Sequence, residues 1–147
     1  MKIAKKFLSV IVILALVAFV YSFFHIGGGE IKFLDKLTEA KSVTVTVIPE
    51  ENDEKVEYDL NKTQIEKLQK LIEENSYTRR ISSTIIGVLP DKRYTILANW
   101  DDGGEKHLYI SLLGGEYIQI LGEYGSNYHK IRHSDFEKEL LSVLDNK

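Results

Sequence analysis

Residues 93–120 read RYTILANWDDGGEKHLYISLLGGEYIQI, and in them apolar and polar side chains alternate on either side of two glycine turns. Alternation with a period of two is the pattern of a half-buried β-strand, and glycine and aspartate favour turns. The stretch therefore predicts three consecutive antiparallel strands, at 93–100, 106–112 and 117–122. The register of these strands depends on how many residues each turn contains.

The lengths of the two turns can be tested against side-chain alternation. A two-residue turn at 102–103 would place Thr95 opposite Ile110, whereas a three-residue loop at 102–104 places Ile96 there. A three-residue loop at the second turn likewise matches apolar with apolar residues, and loops of this length commonly end in a glycine with positive φ. If both loops have three residues, eight apolar side chains share one face of the sheet. They are Tyr94, Ile96, Ala98, Leu108, Ile110, Leu112, Ile118 and Ile120.

The opposite face of this meander is the candidate surface for a protein partner. It is largely polar, but some of its side chains are too apolar for a plain solvated face. Either the 31–41 segment or a neighbouring loop covers them, or they form a contact surface, for which tyrosines are well suited. The residues of the candidate surface are Leu97, His107, Tyr109, Tyr117, Gln119 and Leu121.

The acidic loop Asp101–Glu105 could be a metal or catalytic loop, or only the tip of a hairpin. It lacks the alternating ligands and the distal glutamate of an EF-hand, and turn chemistry accounts for its aspartates and glycines. We interpret it as a hairpin and predict no metal and no cofactor.

The first 29 residues predict a membrane anchor and a glycine linker. Lys2, Lys5 and Lys6 precede an uncharged run from Phe7 to Phe24, which is long enough for a helix to cross a bilayer. A cleaved signal peptide is the alternative, with a weak site at 20–22, but the run is longer than usual and ends in bulky residues. The lysines place the N-terminus in the cytoplasm and the C-terminal domain outside the cell membrane.

The remainder, 30–147, predicts one α+β domain in which the antiparallel β-meander packs against about two helices. A short helix is expected within 31–41, a strand pair at 42–48 and 56–60, and further strands at 78–87 and 128–132. Asn61 and Gln64 form the capping box of one helix, with Leu60 and Ile65 as its hydrophobic staple. Ser134 and Glu137 suggest a second capping box, before a helix with Phe136, Leu140, Leu141 and Leu144 on one face.

Composition excludes several classes of function. The chain has no cysteine, so it forms no disulfide and carries no thiol nucleophile or sulfur-linked lipid. Three of the 19 basic residues lie in the first 29, which leaves 16 against 22 acidic residues in the domain. An acidic body without a basic stripe argues against nucleic acid.

Motifs for catalysis are also missing from the sequence. His129 and His133 have the spacing of a helical zinc pair but straddle a strand end and a helix start, so we interpret them as surface or capping histidines. No nucleophile elbow, Walker or dinucleotide motif occurs. We predict that the protein is not an enzyme.

The order of segments resembles a known group of proteins. A lysine-led apolar span is followed by AKSVTVTV, the capped NKTQIEKLQKLI, a tyrosine-rich meander and a closing SNYHKIRHSDFEKELLSVL. This layout resembles small membrane-anchored or lipoprotein-type domains of unknown function from Gram-positive bacteria, although the lipid-attachment cysteine of many such proteins is missing. The resemblance implies an extracytoplasmic domain.

Two functional hypotheses follow. The protein is either a binding or regulatory module held at the outer face of the membrane, or an immunity or inhibitor protein acting at the cell surface. A cell-envelope enzyme is a third hypothesis, which no motif supports.

Overall fold

The computed structural model describes residues 2–27, 31, 34–49, 54–79, 92–101, 106–120 and 128–145. Its elements, in chain order, are α1 (Lys2–Phe24), β1 (His25–Gly27), a 3₁₀ helix (Leu34–Glu39), β2 (Ser42–Ile48), β3 (Val56–Asp59), α2 (Lys62–Glu73), β4 (Ser76–Arg79), β5 (Arg93–Asn99), β6 (His107–Leu113), β7 (Tyr117–Ile120), β8 (His129–Ile131) and α3 (Phe136–Asp145). The fold is α+β, as the sequence predicts.

All eight described strands form one antiparallel sheet in the order β1-β4-β8-β7-β6-β5-β2-β3. The predicted meander is confirmed, because β5, β6, β7 and β8 are consecutive neighbours. The predicted register is confirmed as well: Ile96 lies opposite Ile110, and Ile110 lies opposite Ile120. Burial of one face therefore selected the odd loop lengths, as argued from the alternation.

The second glycine turn differs in one detail from the expectation. Its positive φ, 54°, is at Gly114, the first residue of the loop and not the last. The Glu116 N–H donates to the Leu113 carbonyl across the turn, at 3.2 Å. Gly115 is needed for a different reason, since a Cβ there would lie 2.8 Å from the Cβ of Glu137 at the start of α3.

The helix α1 continues directly into the sheet, which corrects the predicted boundary at residue 29. Gly27 was expected in the glycine linker, but it belongs with His25 and Ile26 to β1, which pairs with β4 at the edge of the sheet. Ile26 lies opposite Tyr77, is 2% exposed and belongs to the hydrophobic core. The folded domain therefore begins at residue 25, immediately after α1 ends.

The first predicted capping box is confirmed. The Gln64 N–H donates to the Asn61 side chain, and the Asn61 N–H donates to the Gln64 side chain, both at 3.0 Å. The helix α2 buries one face against the sheet, consisting of Gln64, Ile65, Leu68, Leu71 and Ile72. The Tyr77 hydroxyl donates to the carbonyl of Ile72 and ties β4 to the end of this helix.

The start of α3 was predicted differently from what the structure shows. The helix begins at Phe136, and the Asp135 carbonyl, not that of Ser134, accepts the helical hydrogen bond from Glu139 N–H. The Glu137 carboxylate accepts a 2.6 Å hydrogen bond from the buried Tyr94 hydroxyl in β5. Burial, and secondarily this bond, raise the pKa of Tyr94 well above its usual range.

Within the segment 31–41, where an ordinary short helix was expected, the structure has a 3₁₀ helix at Leu34–Glu39. The segment's apolar residues Ile31, Leu34 and Leu37 recur every three positions, which matches the three residues per turn of a 3₁₀ helix. All three are buried. The Trp100 indole N–H donates to the Lys36 carbonyl, so this helix closes the end of β5.

The predicted strand at 78–87 is described only in part. The structure has β4 at Ser76–Arg79, two residues earlier than predicted, and the positions from 80 to 91 lie outside the described residues.

Candidate interaction surface

The candidate surface lies on the face of the sheet that turns away from α2 and α3. Burial alternates along β5 and β6, so Leu97 and Tyr109 are half-buried while their neighbours in the chain are buried. His107 is exposed, Gln119 is half-buried, and Leu121 lies outside the described residues. The sequence thus assigned the five described residues to the correct face.

Leu97 and Tyr109 form the apolar centre of one end of this surface. They lie directly opposite each other on β5 and β6, and Thr44 lies beyond Leu97 on β2. Residues opposite each other in an antiparallel pair have Cβ atoms about 5 Å apart. His107 lies opposite Asn99 at the same end, where the strands enter the acidic loop.

Tyr117 belongs to the other end of the face. It pairs with Leu113, four residues along β6 from Tyr109, which is a distance of about 13 Å at 3.3 Å per residue. Leu113 is only 2% exposed, although it lies outside the main core cluster. Tyr117 is half-buried like Leu97 and Tyr109, but its cross-strand neighbour is buried, whereas Leu97 and Tyr109 are each other's half-buried neighbours.

The acidic loop holds its ends together through Asp101. The Lys106 N–H donates to the Asp101 carboxylate at 3.0 Å, and the Trp100 N–H donates to the Lys106 carbonyl at 3.0 Å. Asp102 and Glu105 lie outside the described residues. The part of the chain that the structure describes contains no cluster of three metal-ligating side chains.

The two histidines near the end of the chain have different environments. His129 lies in β8 with 1% exposure, so its interpretation as a surface or capping residue is wrong. His133 is half-exposed, and its Nε2 lies 2.9 Å from the Glu139 carboxylate of α3. The strand places His129 opposite Ile118 and Arg79.

His129 should make the fold sensitive to acid. Burial, and secondarily Arg79, lower the pKa of His129, so the folded protein holds it neutral while the unfolded chain protonates it below about pH 6.5. The unfolded state then binds more protons, and the free energy of unfolding falls as the pH drops through this range. The slope approaches about 1.4 kcal/mol per pH unit.

Urea unfolding at several pH values between 7 and 5 measures this effect, and His129→Gln should remove most of the slope. His133 acts in the opposite direction, because its hydrogen bond to Glu139 raises its pKa. In His133→Gln the free energy of unfolding should therefore fall with decreasing pH at least as steeply as in the wild type. An unchanged slope in His129→Gln would assign the acid sensitivity to other groups.

A third group of side chains surrounds the C-terminal end of α1. The His25 Nδ1 lies 3.1 Å from an Arg132 guanidinium nitrogen, and Tyr21 stacks on His25 with ring centroids 5.0 Å apart. The Arg79 guanidinium lies 4.9 Å from the ring centroid of Phe23. Sequence reasoning did not group these residues, because β1 and its pairing with β4 were not foreseen.

Comparisons of the chain with protein-family models, curated proteins and solved structures found no match.

Proposed function

We propose that this protein is a single-pass membrane protein whose α+β domain lies outside the cytoplasm and acts as a binding or regulatory module without catalytic activity. The observation that carries the proposal is α1, which contains an apolar span at Phe7–Phe24 with mean hydropathy 2.7 and no buried residue. Side chains such as Phe7 and Phe19 are about 70% exposed in the folded chain, a state that a bilayer stabilises and water does not.

The direction of insertion follows from charge. Lys2, Lys5 and Lys6 precede the span, and loops rich in lysine and arginine remain in the cytoplasm. Because β1 follows α1 without a linker, the domain would lie against the outer face of the membrane and not at the end of a flexible tether.

Protease added to intact wall-less cells tests this topology. We expect the domain to be degraded from outside, while the N-terminal lysines stay protected until the membrane is permeabilised. Complete protection of the domain in intact cells would contradict the orientation. Recovery of the full-length chain in the soluble fraction without detergent would contradict the anchor.

The binding role is supported by the Leu97–Tyr109 pair on the half-buried face. Tyrosine supplies a large contact area at low entropic cost, and a neighbouring apolar residue adds to it. Under this proposal Leu97→Ala with Tyr109→Ala keeps the melting temperature within a few degrees but loses a protein that crosslinks to the wild-type domain in membranes.

Tyr117→Ala is the matched variant on the same face, at the end next to Leu113. It should lower the melting temperature more than Tyr109→Ala does, because it borders the buried Leu113. If the Leu97 and Tyr109 substitutions instead cost several kcal/mol, as truncation of buried residues does, the pair belongs to the core and the binding role loses its support.

A further inference from the structure

A groove runs between the end of α1 and the edge of the sheet, with a volume of about 410 Å³. Its α1 side is formed by apolar residues from the last part of the span, and its other side by polar residues of the domain. The lining residues are Leu16, Val17, Val20, Tyr21, Phe24, His25, Thr78 and Arg132. The volume is in the range of ordinary small-molecule sites.

The two ends of the groove differ in chemistry. Leu16, Val17 and Val20 lie within the apolar span, so in a membrane this end opens to lipid tails and not to water. The other end carries the Arg132 guanidinium, the Thr78 hydroxyl and the His25 ring, at the level where the span ends. An apolar channel that ends in a cation and a hydroxyl group is complementary to an acyl chain attached to a phosphate.

Arg132 has unused hydrogen-bonding capacity at this place. An arginine side chain only donates, so in the 3.1 Å contact the His25 Nδ1 accepts. Among the residues that the structure describes, Arg132 forms no ion pair with a carboxylate. Glu74 and Glu139 line a neighbouring cavity with Arg132, but Glu74 pairs with Lys70 and Glu139 has a 2.9 Å contact with the His133 ring.

One further basic side chain lies near Thr78 in the sheet. Lys130 is exposed and lies opposite Thr78 on β8, so the two share a face, whereas Arg79, the next residue in β4, points to the other face. The domain as a whole is acidic, so the two basic side chains Lys130 and Arg132 in this region depart from the average. Guanidinium groups bind phosphate through two parallel hydrogen bonds, which makes them suitable for lipid headgroups.

We propose that this groove binds an anionic phospholipid of the outer leaflet, with its phosphate at Arg132 and Thr78 and one acyl chain along Leu16, Val17 and Val20. The inference rests on the proposed insertion of α1 in the membrane. Bound in this way, the lipid fixes the orientation of the sheet edge against the bilayer.

The test uses the full chain reconstituted in phosphatidylcholine bilayers that contain a trace of spin-labelled lipid. Electron paramagnetic resonance measures the fraction of labelled lipid that the protein immobilises, for phosphatidylglycerol and for phosphatidylcholine. We expect the association constant for phosphatidylglycerol to be about five times that for phosphatidylcholine, which is the effect of one basic side chain near a membrane. The ratio of these two constants is the measured quantity. Arg132→Gln should reduce the ratio to about one, and Arg132→Lys, which keeps the charge but not the two parallel bonds, to an intermediate value.

Two matched controls separate the groove from general effects. Lys55→Gln removes a positive charge beside β3, at the opposite edge of the sheet, and should leave the ratio unchanged. Val17→Trp fills the groove from the lipid side without touching the domain, and should lower the ratio. Ala15→Trp adds the same bulk on the opposite side of α1 and should not.

The outcomes are distinguishable from a failure of the anchor. If the chain does not enter the bilayer at all, the proposed topology is wrong, and the lipid site falls with it. If the chain inserts but Arg132→Gln and Val17→Trp keep the wild-type ratio, the anchor stands and the lipid site is refuted. A preference for phosphatidylglycerol that Lys55→Gln weakens as much as Arg132→Gln would show only general charge attraction.

Discussion

Replacing Ile26 by alanine should destabilise the domain by about 2–4 kcal/mol, the range for truncating a buried aliphatic side chain. Ile26 is 2% exposed and lies in a row with Tyr77 and Ile131 across three neighbouring strands. The Tyr77 hydroxyl in turn donates to the carbonyl of Ile72 in α2. The loss of the Ile26 side chain therefore weakens the packing between α1, the sheet edge and α2.

Urea unfolding of the full chain in detergent micelles measures this effect, with the single tryptophan, Trp100, as the fluorescent reporter. Val56→Ala is the matched control, because Val56 lies in the strand at the opposite edge of the sheet and is 46% exposed. Its truncation should cost well under 1 kcal/mol. Equal and small losses in both variants would show that residues 25–27 do not contribute to the core of the domain.

The strand β1 could not be predicted from the sequence for a physical reason. It has three residues, His25–Gly27, directly after an apolar helix and at the start of a run of three glycines. Neither alternation nor β-propensity is measurable over so short a segment, and glycine disfavours a strand. The strand exists because β4 offers an edge to pair with, and that edge forms only in the folded domain.

The register of the meander was predictable because two independent turns gave the same answer. The length of one loop alone leaves the register of the strands ambiguous. The two lengths together place Ile96, Ile110 and Ile120 in one row, and a slip of one residue would expose all three. The same reasoning assigned Leu97 and Tyr109 to the opposite face. It could not foresee that Leu113 is covered, since burial on the second face depends on segments outside the meander.

His129 shows a further limit of local reasoning. Its position at a strand end, just before a helix, suggested an exposed side chain, yet β8 lies between β4 and β7 and buries it. One of the strands that flank β8 is β4, which lies at least 50 positions away in the chain. The same pairing brings Arg79 and Arg132 to the C-terminal end of α1, and no local pattern indicated it.

The second large effect is expected at Gln64, whose role in the capping box was predictable and whose other role was not. Its side-chain amide also donates to the carbonyls of Val143 and Leu144, at 3.0 and 3.3 Å, and so joins the start of α2 to the end of α3. The residue is 7% exposed. One side chain thus satisfies backbone groups at the ends of two helices.

Gln64→Glu keeps the size of the side chain and the oxygen that accepts from Asn61, but replaces the donating amide by a second oxygen. At pH 7 a carboxylate would then face two carbonyl oxygens with little access to water. The lost donor and the buried charge should cost about 2–4 kcal/mol, reduced by the favourable position of an acid in the first turn of a helix. Urea unfolding at pH 7 measures this loss.

The pH dependence distinguishes this explanation from a simple loss of packing. The introduced carboxyl is buried and faces two carbonyl oxygens, and both effects disfavour its charged form. Its pKa should therefore lie above that of a glutamate in the unfolded chain, about 4.3. Protonation restores an O–H donor, so the difference from the wild type should shrink as the pH falls from 7 towards 4. Comparison with the wild type at each pH removes the contribution of His129, which both proteins share.

Glu66→Gln is the matched control, since it makes the reverse exchange of charge at an exposed position of the same helix, and it should change stability by less than about 0.5 kcal/mol. If Gln64→Glu is as stable as the wild type at pH 7, the amide does not hold the two helix ends together. In that case only the contacts of the apolar side chains would join α2 to α3, and the capping box alone would account for the glutamine.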